Sequence, residues 1–211
     1  MGTDSEVALR KYRLHASRYD HDVQRGEVIR RATISRLGLK PGDVVFDVAC
    51  GTGLSFPLIE DGIGTSGRLI GIEMSPDMLA EAGRRIENHG WNNVTLINSP
   101  VETASIPVKA DAVLFSFTHD VLRSPGALAN VCRQIKPGAR VAASGTKWAP
   151  WWAIPVNVVV WYFARKYVTT FEGFGQPWSH LIRHVPDFRT QSEFYGAVYV
   201  GWGTAAGDLG G

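Results

Sequence analysis

Residues 45–53 read Val45-Phe46-Asp47-Val48-Ala49-Cys50-Gly51-Thr52-Gly53 (VFDVACGTG). The apolar run over residues 44–49 is bounded by the turn Lys40-Pro41-Gly42-Asp43 before it and by glycines after it. It has the length and edges of a buried strand. The small residues that follow let the backbone approach a ligand closely, and a helix beginning near Ser55 offers that ligand free N–H groups. A dinucleotide loop would carry a third glycine where Phe56 stands, and a P-loop would need Gly-Lys-Ser/Thr, which is missing. Both phosphate-binding readings are weakened.

The chain alternates outward from this point. Thr3-Asp4-Ser5-Glu6 has capping-box spacing ahead of a helix through Leu14. A second helix fits residues 23–37, with Val28, Ile29, Ala32 and Leu37 on one face and Gly38 as its stop. Residues 68–73 form a second strand, and Ser75-Pro76 pairs an N-cap with proline at the first helical position, opening a helix that carries Met78, Leu79, Ala82 and Ile86. Strands follow at residues 94–98 and 112–117. Ser124-Pro125 repeats the helix start for Leu128, Val131, Cys132 and Ile135, and Lys136-Pro137-Gly138 turns into a fifth strand at residues 140–144. Such alternation predicts an α/β fold, a mainly parallel sheet with helices on both faces. Its ligands sit at the carboxyl ends of the strands, near the point where strand order reverses.

Composition narrows the function. The 211 residues carry a net charge of +2 with both signs interspersed and no Lys/Arg-rich run, so no nucleic-acid partner is expected. Cys50 and Cys132 make no disulfide framework, and a reducing cytoplasm is the expected setting. The polar N-terminal residues do not read as a secretory signal, and the Gly-rich residues 207–211 are expected to be a flexible tail. Glu73 stands about 20 residues beyond the glycine loop, where an acid accepts hydrogen bonds from ribose hydroxyls. A carboxylate buried there without a partner would be costly, which favours a ligand role.

Three motifs in order, FDVACGTG, then GIEMSPDML at residues 71–79, then IKPGARV before the fifth strand, resemble the class I S-adenosylmethionine-dependent methyltransferases, nearest the UbiE-like small-molecule branch. The resemblance is clear over residues 37–144. Residues 188–204, FRTQSEFYGAVYVGWGT, look like the antiparallel hairpin that closes this family's seven-stranded Rossmann-like sheet. It implies an N-terminal helical cap (residues 1–37) and a methyltransferase domain (residues 38–206) with a variable substrate segment at residues 146–187. It implies S-adenosylmethionine as cofactor and S-adenosylhomocysteine as product. The residues Asp47, Ala49, Cys50, Gly51, Thr52 and Gly53 would hold the methionine moiety, with Asp47 ordering the loop. Glu73 would grip the ribose, and Met74 and Met78 would flank the adenine. Ser99, Pro100 and Val101 would lie at its edge, Ser99 standing where the family often has Asp. Ser116, Phe117 and Thr118 would border the sulfonium, and Tyr12 and Tyr19 would cover the cofactor.

Several residues invite sharper readings. Cys50 sits where a helix N-terminus would lower a thiol pKa, but no histidine is placed beside it by local spacing, and a loop role is preferred. Cys132 is expected in the core. His180 and His184, four apart, lack a third ligand, so no metal is expected. Asp111 and Asp22 look like solvated turn or cap residues. His119, after the fourth strand, is the candidate general base if the acceptor must lose a proton, weighed against a helix-start role. Seventeen uncharged residues run from Trp148 to Ala164, broken by Pro150, Pro155 and Asn157, where a spanning helix needs about 20. Trp148, Trp151, Trp152, Trp161 and Tyr162 are expected to wall an acceptor pocket, making the acceptor small and apolar or aromatic. Two rival readings stay open: a phospholipid or quinone methyltransferase at the membrane surface, and a non-catalytic S-adenosylmethionine-binding regulator. No transmembrane segment is expected, while peripheral membrane contact and a homodimer are left open.

Overall fold

The computed structural model describes residues 26–165, 168 and 170–206. The expected helix at residues 3–14, Tyr12, Tyr19, Asp22 and the tail at 207–211 lie outside the described residues. The first described helix, α1 (Glu27–Ser35), ends with Arg36 as its C-cap, and Gly38, the expected stop, follows two residues later with the left-handed φ of +52°. It buries Ile29, Arg30, Thr33 and Ile34, and Leu37 follows them into the core. Val28, expected on that face, is 69% exposed. The face rotated because Thr33 hides its polarity: its hydroxyl donates to the Ile29 carbonyl at 2.7 Å, so it can lie under the helix.

Seven strands follow in the spatial order β3-β2-β1-β4-β5-β7-β6. β1 (Val44–Val48) pairs in parallel with β2 (Arg68–Glu73) on one side and β4 (Ala110–Ser116) on the other. β2 pairs with β3 (Val94–Asn98), and β4 with β5 (Ile135–Thr146), also in parallel. β5 is longer than expected because the register shifts between Ala110 and Ala112, which absorbs the Lys136-Pro137-Gly138 turn into the strand. The chain then returns antiparallel: β7 (Val198–Thr204) lies on β5, and β6 (Arg189–Glu193) on β7. β6 is the edge, and its polar sequence RTQSE suits exposure.

Inner strands covered on both faces must be apolar on both faces, which is why residues 44–48 and 110–115 show no alternation. On one face, Ile34 and Leu37 pack with Ile59 and Ile63 of α2 (Phe56–Ile63) and Ala82 of α3 (Pro76–His89). On the other, Leu122 of α4 (His119–Arg123) and Leu128 and Val131 of α5 (Pro125–Arg133) pack on Phe46, Val113 and Phe115. Both Ser-Pro starts form as expected. Ser75 accepts from the Met78 N–H at 3.4 Å and Ser124 from the Ala127 N–H at 3.2 Å. Cys132 is half-buried against this second face.

After β5, Ala149, Ala153, Val160, Ala164, Phe174 and Ala197 form a separate cluster under α6 (Ile154–Ala164). Asn157, which interrupts the apolar run, bonds both backbone groups of Ala149, at 2.8 and 3.1 Å, and pins α6 to the strand exit. The β6–β7 connection is a tight turn in which Phe194 (φ +48°) and Tyr195 (φ +56°) are left-handed. Such a conformation costs about 1–3 kcal/mol at each non-glycine residue. Among the described residues, no helix is long and apolar enough to cross a membrane.

Gly67 marks where α2 turns into β2 with no room to spare: an added Cβ would stand 2.8 Å from the Asp43 carbonyl oxygen and 2.6 Å from Ile63 Cβ. Gly67→Ala is expected to lower unfolding stability by about 1–3 kcal/mol in urea titrations, and a neutral result would show that the turn relaxes freely.

Candidate functional site

The strand order reverses between β1 and β4, so a crevice opens at their carboxyl ends. There Ala49 leaves β1 with φ +53°, and Gly51 (φ +57°) and Gly53 (φ +74°) continue a compact loop. Cys50 N–H donates to the Ile72 carbonyl, and Gly53 N–H to the Cys50 carbonyl, both at 3.0 Å. The loop lies so close to β2 that a Cβ on Gly71 would meet Cys50 Sγ at 2.9 Å. Arg85 of α3 donates to the Thr52 carbonyl at 3.0 Å from the far side.

Glu73, at the end of β2, is buried, and burial pushes its carboxyl up. Its Oε2 accepts from Gly51 N–H at 3.1 Å and its Oε1 from Ser75 N–H at 2.8 Å. Glu73 is therefore not an acid without protein partners: it has two backbone donors, and it shapes the loop. Asn98 holds the adjoining turn, donating to the Glu73 and Met74 carbonyls at 3.0 and 3.1 Å.

Asp47 is only 2% exposed, and its Oδ2 has no hydrogen-bond partner among the described residues. Burial pushes its carboxyl up to about 7; the Arg30 guanidinium pulls down, the Glu73 charge pushes up, and the Ser55 hydroxyl pulls down. A cavity at this point is lined by Asp47, Cys50, Gly51, Ser55, Ser116 and, from α1, Arg30. Arg30 is itself buried and pairs with Glu27 at 2.8 Å. The sequence reading missed Arg30; the one signal was a cation inside an otherwise inward-facing helical stripe. The thiol of Cys50 is pushed well above its usual value by burial and then by the Asp47 and Glu73 charges, the reverse of a nucleophile's tuning.

The other expected residues divide. Met74 and Ser99 are both half-buried, the Ser99 hydroxyl donating to the Pro100 carbonyl at 3.0 Å, whereas Met78 and Val101 are packed inside. At the end of β4, Ser116 lies in register with Ser144, and Phe117 (φ +57°) donates to the Ser144 carbonyl at 2.8 Å. Beyond it, Thr118 Oγ1, Ser144 Oγ and both ring nitrogens of His119 are buried without hydrogen-bond partners among the described residues. His119 lies tilted on Phe174 with ring centroids 5.1 Å apart. Burial lowers its imidazole pKa and the Arg123 charge adds to this, against Asp120 and the Thr170 backbone. Trp148 stands over Phe174 at 5.0 Å and so joins this group. Trp151, Trp152, Trp161 and Tyr162 do not: they are exposed, and the strand-end cavity is lined without them. Trp151 and Trp152 lie in the turn before α6, and α6 turns Trp161 and Tyr162 outward because Val160 and Ala164 take up its inward side.

His180 and His184 sit at the two ends of a 3-10 turn (Leu181–Arg183), and His180 Nε2 lies 3.4 Å from Arg123 Nη1. Among the described residues, no group of three His, Cys, Asp or Glu could hold a metal ion. Arg123 also pairs with Glu172 at 3.2 Å, tying the segment after α6 to α4. Asp111 is no bare turn residue: it accepts from the Val44 N–H at 3.0 Å and pairs with Lys136 at 2.7 Å.

Residues 39–152 match the model of a family described as a methyltransferase domain. A demethylmenaquinone methyltransferase of Beutenbergia cavernae is 29% identical over 142 residues, covering 66% of this chain and 55% of that protein. A ubiquinone/menaquinone biosynthesis C-methyltransferase UbiE of Francisella philomiragia is 29% identical over 116 residues, covering 53% of this chain and 46% of that one. The chain thus spans about half the length of the curated relatives it matches. Among solved structures, the N-methyltransferase NodS from Bradyrhizobium japonicum in complex with S-adenosylhomocysteine superposes with a TM-score of 0.62 at 13% identity, over 85% of this chain and 87% of that one, which speaks for the fold.

The buried carboxylate carries a stability signature. Asp47 titrates near 7 when folded and at its ordinary value of 3.8 when unfolded, so the folded chain holds the extra proton between those values. Its contribution therefore worsens as pH rises from about 4 through 7. Asp47→Asn is expected to raise the unfolding free energy of the unliganded protein at pH 8 by on the order of 1–3 kcal/mol and to flatten that pH dependence. Urea midpoints across pH check this; parallel curves for the two proteins would refute it.

Proposed function

The chain belongs to the methyltransferase-domain family, and from that premise we propose that it transfers a methyl group from S-adenosylmethionine to a small apolar or aromatic acceptor. The observation that carries the reading is the unpartnered Asp47 oxygen beside the buried Arg30 guanidinium, beneath the glycine loop. An α-amino acid offers the complement of both: Asp47 takes the ammonium, and Arg30, with the N–H groups opening α2, takes the carboxylate. A cation bound there offsets by its charge the desolvation that holds Asp47 at about 7. Glu73, already fixed by two N–H donors, keeps lone pairs for ribose hydroxyls, and Met74 and Ser99 are placed for the adenine. Met78 and Val101 support that surface from inside. The cofactor supplies an electrophilic methyl on a sulfonium.

What the chain contributes is positioning and exclusion of water. Residues 116–118 border the acceptor side, with the unpartnered Thr118 and Ser144 hydroxyls available to orient a polar acceptor atom. His119, held by Phe174, is kept neutral by its lowered pKa and takes the acceptor's proton at an imidazole nitrogen when oxygen or nitrogen is methylated. Trp148 and Phe174 make the neighbouring wall aromatic. The quinones in the relatives' names support an apolar acceptor.

Calorimetric titration with S-adenosylmethionine is the direct test. Affinity is expected to fall by up to about tenfold per pH unit below 7, as Asp47 takes up its proton, and roughly ten- to a hundredfold in Arg30→Ala. Preferential binding of NADH would sink the reading. His119→Asn should cut kcat on a protic acceptor by about a hundredfold while leaving cofactor affinity unchanged, and wild-type activity should fall only below the ordinary imidazole range. Tight cofactor binding without turnover across a broad acceptor panel would assign the chain to the regulator class instead.

A further inference from the structure

We infer that the aromatic corner built by the residues after β5 docks on an anionic phospholipid surface; this does not depend on methyl transfer. Trp151 is 85% and Trp152 61% exposed, and α6 turns Trp161, Tyr162 and Phe163 outward as well, burying only Val160 and Ala164. A second element contributes to the same corner. The β6–β7 turn packs Gly196 against Pro150, and Ala197 enters the cluster under α6. That turn presents Phe194 and Tyr195 to solvent at 58% and 76% exposure. Both are held left-handed, a strain that glycine would avoid and that points to use of the side chains.

The segment that builds this corner carries cations and no acid of its own. From Val121 to Phe171 the sequence contains no Asp or Glu, while Lys147 precedes the apolar stretch and Arg165 and Lys166 follow it. The Arg165 guanidinium lies over the Trp161 and Tyr162 rings, 4.9 and 4.7 Å from their centroids. The flanking acids are engaged: Glu172 pairs with Arg123, and Glu193 accepts from Gln191. Trp and Tyr with a basic rim is the composition that settles at a membrane–water boundary. A second copy of the chain would press basic rims together, whereas anionic headgroups neutralise them. The 11 residues of α6 span about 16 Å, roughly half of the hydrocarbon thickness, so the helix lies in the boundary rather than across it. Trp148, at the root of the corner, leads through Phe174 to His119, so the docked face adjoins the acceptor side.

The test is co-sedimentation of the full chain with phosphatidylcholine vesicles, with and without phosphatidylglycerol. The wild type is expected to pellet with the anionic vesicles and less with neutral ones, and high salt should release it only in part, because the apolar contribution is not screened. Replacing Trp151 and Trp152 together by Ser should lower the vesicle-bound fraction about tenfold. Phe194→Ser with Tyr195→Gly should do the same, and the glycine also relieves the left-handed strain, so the fold is retained; circular dichroism verifies it for both pairs. Wild type left in the supernatant overturns the proposal. So does pelleting that neither pair of substitutions reduces, since another surface would then be responsible. A dimer in light scattering that the tryptophan replacements dissociate, without vesicle binding, would assign the face to a second copy.

Discussion

A single carboxylate connects the strand ends of this fold. Glu73 closes β2 and receives the N–H of Gly51 from one loop and the N–H of Ser75 from the next. Both donors belong to backbone that leaves the sheet, where no ladder partner exists for them. The glycine loop can therefore lie flat on β2, against Gly71, and still satisfy its polar groups. The loop so held forms one wall of the cavity at the ends of β1 and β4, opposite Ser116 and Phe117. A bound ribose would use lone pairs on oxygens that are already immobilised, which is preorganisation of the kind binding sites require.

Asp47 shows the opposite balance. It is buried, one oxygen is unsatisfied, and its proton is lost only near 7. Arg30 partly offsets the charge but does not bond the free oxygen. A site of this kind is poorly stabilised when empty and improves when a cation arrives. The strained Ala49 and Phe117 stand on either side of it, so backbone strain and the buried charge gather at one place.

The segment after β5 faces two ways. Inward, Phe174 packs on His119 and Trp148, and Arg123 ties the segment to α4 through Glu172. Outward, α6 has no polar side, because Asn157 spends its amide on Ala149 and the rest of the helix is apolar. One short stretch thus covers His119 beyond the end of β4 and presents an apolar exterior.

How much of this was legible beforehand follows from the range of the forces involved. Strand β2 and the starts of α3 and α5 were readable to within a residue, because an apolar run between turn residues and a Ser-Pro cap are local signals. The glycine loop, Asp47 and Glu73 were readable by type and spacing, and the C-terminal hairpin from its resemblance. What remained hidden depends on packing across the sheet. The inward face of α1 turned on a hydroxyl bonding its own backbone. Arg30 became part of the site only because α1 docks across β4, β5 and β7, which leaves its start over the end of β1. The tryptophans are expected to wall a pocket, but Trp151 and Trp152 stand exposed in the turn before α6, and α6 buries Val160 and Ala164 and leaves Trp161 outward. The sequence by itself determined which elements form, in what order, and that an acid and a glycine loop end adjacent strands. Only the tertiary structure decided which side chains face the crevice and which face solvent, because that choice rests on contacts between residues far apart in the chain.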